Sequence, residues 1–121
     1  MLTALARSFR NAFSGISYAL RTQRNARIHL GITLAVIMLG TWLQIGVEDW
    51  VPLIIAAGLV WTAEFINTAL EAAVDLASPQ EHFLARKSKD VSAAAVLLAA
   101  ATAAVVGIVI LGPPLLTRLF P

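Results

Sequence analysis

The stretch EFINTALEAAVD, Glu64 to Asp75, closes a long apolar run with three carboxylates and an amide where the surrounding composition calls for Leu or Ala. At about 100° per residue, Glu64, Asn67, Glu71 and Asp75 fall near 0°, 300°, 340° and 20°, an arc of roughly 80°. The four residues therefore share one polar stripe on one helix. Everything around them is oily: 59% of the 121 residues are hydrophobic and 13% charged, with a mean hydropathy of +0.80. That balance fits a membrane protein better than a soluble domain with one core. The chain has no cysteine, which excludes disulfides, thiolate metal sites and thiol nucleophiles.

Working outward from the stripe, the run from Val51 to about residue 70 forms a membrane span entered through Trp50 and Pro52, and the span with its stripe covers 51–75. Before it, residues 30–46 make a first span with Trp42 near its far end, joined to the second by the acidic turn GVEDW. After it, residues 78–90 read as a polar loop. A third span over 91–111 carries no charge and is expected to stop at Gly112, Pro113 and Pro114. Residues 2–22 place Leu2, Leu5, Phe9, Phe13, Ile16 and Leu20 at steps of three and four, with Arg7, Arg10 and Arg21 mostly elsewhere. That pattern predicts a basic amphipathic helix lying at a membrane interface rather than a cleaved signal peptide.

The fold class expected is thus an all-α, single-domain membrane protein, with an interfacial N-terminal helix and three transmembrane helices. Arg7, Arg10, Arg21, Arg24 and Arg27 precede the first span, Arg86, Lys87 and Lys89 lie between the second and third, and Arg118 follows the last. The positive-inside rule places the N-terminus and the 78–90 loop in the cytoplasm and the C-terminus outside. Residues 23–29 and 64–90 then converge at one interface of the cytoplasmic membrane. The third span is rich in Ala and includes Gly107, and such small residues let helices approach closely. Three short spans are not expected to enclose a polar stripe from lipid on all sides, so a homo-oligomer is expected, with the alternative that the stripe faces interfacial water.

An ionised carboxylate at a bilayer centre costs about 2.5–3.5 kcal/mol on insertion scales, which makes it a functional candidate. Carboxylates one and two turns apart suit hard cations, and Mg²⁺ takes one or two carboxylates together with substrate phosphates. The loop adds His82, Lys87, Lys89 and Asp90, and a lysine can hold phosphate as a point charge. The stripe and loop together suggest nucleotide chemistry. Neither a G-x-x-x-x-G-K-[ST] nor an H-E-x-x-H sequence occurs, so a P-loop and a zincin site are excluded.

The order of these residues, in EFINTALEAAVDLASPQEHFLARKSKDVSAAAVLLAA, strongly resembles the signature of the small prokaryotic integral-membrane diacylglycerol kinases, a family that includes the undecaprenol kinases. The resemblance extends to FRNAFSGISYAL and RNARIHL, and the latter with SPQEH looks more like the undecaprenol-kinase branch. It implies a homotrimer with active sites shared between subunits, in which MgATP gives its γ-phosphoryl group to a membrane-lipid hydroxyl. It further implies that Glu64 is the general base, that Glu71 binds Mg²⁺, and that Asn67, Asp75, Gln80, Glu81, His82, Lys89 and Asp90 contact the nucleotide. The partners implied are a lipid, ATP and two further copies of the chain, with no nucleic acid. Gln23 is a departure, since the family usually has a second metal-binding Glu there. The alternative is an inactive or non-enzymatic oligomer, such as a transporter whose stripe carries a coupling proton.

Overall fold

A computed structural model describes residues 1–120, the side chain of residue 2 excepted. The chain is helical nearly throughout, and what shapes it is where the helices break. The first helix, α1 (Leu2–Thr22), and the second, α2 (Arg24–Leu43), are separated by Gln23 alone, whose backbone is extended at φ −101° and ψ 121°. Its N–H still donates to the Ala19 carbonyl at 2.8 Å, so the same residue ends α1 and begins α2. Buried Ala19 and Ala26 flank the joint, 1% and 0% exposed, and their small side chains let the two helices meet closely.

At the opposite end, α2 closes in a left-handed turn at Gln44, with φ 55° and ψ 43°. The Ile45 N–H donates to Gly40 and the Gln44 N–H to Thr41, which is the paired-bond Schellman ending that usually places glycine at the left-handed position. The third helix, α3 (Val47–Ala77), starts directly afterwards. Gly40 makes this hairpin possible: a Cβ there would sit 2.8 Å from Cη2 of Trp50. Pro52 falls near the start of α3, and the helix runs through it.

The fourth helix, α4 (Phe83–Leu119), is capped by the His82 imidazole, whose Nδ1 accepts from the Leu84 N–H at 3.1 Å. This corrects two sequence expectations. Only 78–82 of the expected 78–90 loop is non-helical, because the charged segment from Phe83 continues the same helix as the apolar run. Nor do Gly112, Pro113 and Pro114 end the helix, which continues to Leu119. Proline has a helix-compatible φ, and at Pro113 its conflict with the Cβ of the preceding residue is absent because that residue is Gly112. The Thr117 hydroxyl then donates to the Pro113 carbonyl at 3.0 Å, within the last turns.

Three of these helices, α2, α3 and α4, are long and apolar enough to cross a membrane. The 31 residues of α3 rise about 46 Å and the 37 of α4 about 55 Å, against a hydrocarbon core of about 30 Å. Both therefore extend well beyond such a core. The most extensive packing is between α3 and α4, α2 lies against both, and α1 touches α2 and α3. The core between them is narrow and built of Leu53, Ala56, Val60, Val96, Ala99 and Leu111. Many large apolar side chains face outward, among them Ile54, Leu97, Ile108 and, on α1, Phe9 and Phe13. Outward apolar faces suit a lipid or a protein neighbour rather than water.

Candidate active site

The largest fully buried side chain is Glu64, 1% exposed, and its neighbours along the α3 stripe, Asn67 and Thr68, are each 5% exposed. Helical spacing brings these groups to the inner face of α3, where α2 and α4 cover them. Both carboxylate oxygens of Glu64 lack a hydrogen-bond partner among the described residues. The nearest basic group is His29 of α2, with Nε2 at 3.8 Å from Oε2. Register between the two helices is fixed one turn away: the Trp61 indole N–H donates to the Thr33 hydroxyl at 3.1 Å, and that hydroxyl donates to the His29 carbonyl at 2.7 Å.

Two turns beyond Glu64, Glu71 is held from both sides. The Asn67 amide donates to its Oε1 at 3.1 Å, and the Gln23 amide donates to its Oε2 at 3.2 Å. Asn67 in turn accepts from the Ser92 hydroxyl of α4 at 2.6 Å. Side chains from the α1–α2 joint, α3 and α4 thus form one chain of hydrogen bonds. A cavity of about 260 Å³ opens beside it, lined by Gln23, Asn25, His29, Asn67 and Glu71. No three His, Asp or Glu side chains converge as a metal cage among the described residues. A single carboxylate flanked by two rotatable amides does suit a hard ion that draws its remaining ligands from phosphate.

One turn further, Asp75 binds Lys89 of α4, Oδ1 to Nζ at 2.8 Å. A second polar cavity of about 340 Å³ lies beside this pair, and Gln80, Glu81, His82 and Asp90 line it with them. Lys87 binds Asp90 at 3.1 Å and Arg86 binds Glu81 at 2.9 Å, which leaves Lys89 and Asp75 to join the two long helices. Of the ten residues singled out from sequence, Glu64 is sealed inside, while Gln23, Asn67 and Glu71 form the inner hydrogen-bonded cluster. Asp75, Gln80, Glu81, His82, Lys89 and Asp90 form the outer cavity. His29 and Ser92 join this layer without having been assigned a role from sequence. A lone serine in an alanine run and a lone histidine at a span entrance carry little periodic signal.

On the other side of His29 an apolar cavity of about 470 Å³ runs along the three long helices, past Thr33, Leu53, Val60, Ala100 and Ala104. His29 therefore stands between an oily groove and a polar cavity, against a buried carboxylate.

The model of the family described as prokaryotic diacylglycerol kinase matches residues 10–111. A protein of Synechocystis named diacylglycerol kinase is 47% identical over 111 residues, 91% of this chain and 63% of that protein. An undecaprenol kinase of Bacillus subtilis is 32% identical over 114 residues, covering 94% of this chain and 93% of its own length. A diacylglycerol kinase of Escherichia coli is 33% identical over 78 residues, or 64% of each chain. The chain thus spans less than two thirds of the Synechocystis relative and nearly all of the Bacillus one. With three candidate spans and a buried Glu64 already in view, the match over most of its length makes this chain a member of the prokaryotic diacylglycerol kinase family.

Proposed function

We propose that this protein is an ATP-dependent lipid kinase that phosphorylates the hydroxyl of a membrane lipid, diacylglycerol or undecaprenol, the two lipids in its relatives' names. The observation that carries the proposal is the Glu64 carboxylate, buried and without a hydrogen-bond partner among the described residues, next to His29, whose side chain lines a groove suited to hydrocarbon. A lone carboxylate there is costly to the fold and is the group a lipid alcohol needs as its base.

In this reading the alcohol oxygen attacks the γ-phosphorus of ATP. A new O–P bond forms, the bond from the γ-phosphorus to the β–γ bridging oxygen breaks, ADP leaves, and the alcohol proton passes to Glu64. Glu71, with the Gln23 amide turned to present its oxygen, would hold Mg²⁺. That ion offsets charge on the phosphates when bound. Lys89 places a positive charge at the outer cavity, where Asp75 fixes its direction. His82, Gln80, Glu81 and Asp90 line the space for the nucleotide, and Asn67 orients Glu71.

The same reading puts the polar end of the bundle at the cytoplasmic face, where ATP is found and where the arginine count of the sequence places it. It lays α1 in the interface, with Phe9 and Phe13 toward lipid, and it closes the outward apolar faces by assembly into a homotrimer. The test is transfer of radiolabelled γ-phosphate from ATP to diacylglycerol and to undecaprenol by the purified protein in mixed micelles. Labelling of one of these lipids is expected, and labelling of neither would sink the proposal.

A further inference from the structure

We propose that His29 is the proton outlet of Glu64, carrying the proton taken from the lipid alcohol to the polar cavity; this rests on the lipid-kinase reading above. A buried base that accepts a proton must lose it before the next turnover. Glu64 is 1% exposed and among the described residues has no hydrogen-bonded partner to take the proton. The imidazole Nε2 is the nearest basic atom, 3.8 Å away, and the His29 side chain is 13% exposed. His29 also lines the cavity that holds Gln23, Asn25 and Glu71, so it reaches from the sealed carboxylate to the wet side of the site.

The charges around the ring favour this direction of transfer. Facing the histidine from α3 are Glu64 and, across the shared cavity, Glu71. From α4 the cavity is lined by Ala93, Val96, Leu97 and Ala100, none of them ionisable, and α1 contributes no lining residue. Among the described residues no other basic side chain lines that cavity, so once a divalent ion at Glu71 has left with ADP a transient imidazolium between two carboxyl groups is electrostatically supported. The 3.8 Å gap is roughly 1 Å longer than a charge-assisted hydrogen bond, and such contacts commonly tighten when substrate binds.

The step balances as follows. The O–H bond of protonated Glu64 breaks and an N–H bond forms at Nε2, giving a carboxylate and an imidazolium. The imidazolium then releases one proton to water, restoring the neutral ring. Histidine is the side chain whose ordinary ionisation near neutrality lets it accept and release a proton in the same cycle. No bond to the lipid or the phosphates is made by His29, so it acts through Glu64.

A glutamine at position 29 separates this role from simple positioning, because its amide can hydrogen-bond Glu64 but cannot carry a proton. His29→Gln is expected to lower kcat about a hundredfold with little change in KM, and to change the shape of the pH–rate profile. His29→Ala should recover part of its turnover when imidazole is added, whereas His29→Gln should not. A wild-type kcat and pH profile in His29→Gln would overturn the relay while leaving the kinase reading intact; a wild-type protein that phosphorylates neither lipid would overturn the kinase reading itself. Should both variants fail to fold, the pair is read by nitrogen NMR in Glu64→Gln, where only His29 and His82 contribute imidazole signals. The His29 Nε2 resonance is expected to move in that variant, and an unmoved resonance would overturn the proposal.

Discussion

The two ends of the helical bundle solve opposite problems. At the end formed by Gln44 and Trp50, the chain reverses in a few residues, every backbone choice serves closure, and a glycine gives way to an indole ring. Arg118 stacks over Trp42 at 5.3 Å, so even the charge there covers an aromatic face. At the end formed by Gln23, Glu64 and Glu71, close packing instead surrounds groups that would be more stable in water. One end is built to hold the chain together. The other spends stability on chemistry, and strain of that kind is common at functional sites.

Four substitutions test that contrast, beginning with the largest effect. Glu64→Gln should reduce lipid phosphorylation by about 10²- to 10⁴-fold while the protein remains folded, since the amide keeps the shape of the carboxyl group but cannot accept the alcohol proton. Activity within a few-fold of wild type, measured by phosphate transfer, would take Glu64 out of the base role. At the opposite end, Gly40→Leu should leave the chemistry alone and destabilise the fold by about 1–3 kcal/mol, the usual range for overpacking, because its Cβ meets the Trp50 ring. Denaturation in detergent would detect this; an unchanged midpoint would mean that the hairpin rearranges freely.

The third substitution probes the seam of the polar end. Gln23→Glu replaces an amide that donates to Glu71 at 3.2 Å with a second carboxylate at the same place. Like charges that close repel in the empty site, while a second anionic oxygen strengthens the hold on a hard divalent ion. The Mg²⁺ concentration for half-maximal activity should fall on the order of tenfold, and the metal-free variant should melt below wild type. A titration that superimposes on wild type would place Gln23 outside the metal shell. Smallest of all, Gln44→Gly should stabilise the closing end by about 1 kcal/mol, because a left-handed backbone penalises a side chain and not glycine. Thermal unfolding would read it, and a lower midpoint would show that the Gln44 side chain holds something the backbone geometry does not reveal.

Much of this was legible in the sequence because helical periodicity is a local property. Glu64, Asn67 and Glu71 come together through spacing along one helix, and the apolar runs mark three long helices. Charge does not locate the start of α4, nor do Gly112, Pro113 and Pro114 locate its end. Polarity reports where a segment leaves an apolar layer, whereas helicity depends on local backbone propensity, so residues 83–90 are polar and helical at once. The long-range partners were beyond periodicity. Gln23 reaches Glu71 across 48 positions and Ser92 reaches Asn67 across 25; such pairings depend on how whole helices dock. The approach of His29 to Glu64 is of the same kind, set by the Trp61–Thr33 bond between α2 and α3.

The joint at Gln23 has a kinematic consequence. With a single non-helical residue between α1 and α2, there is no slack in the connection, and α1 can swing relative to the bundle chiefly through the two torsions of that residue. The side chain on the same pivot is hydrogen-bonded to Glu71. A rotation of the 21-residue arm is therefore geared to the orientation of a part-buried acidic group on α3, and a small angular displacement at the pivot sweeps the far tip of α1 through a long path.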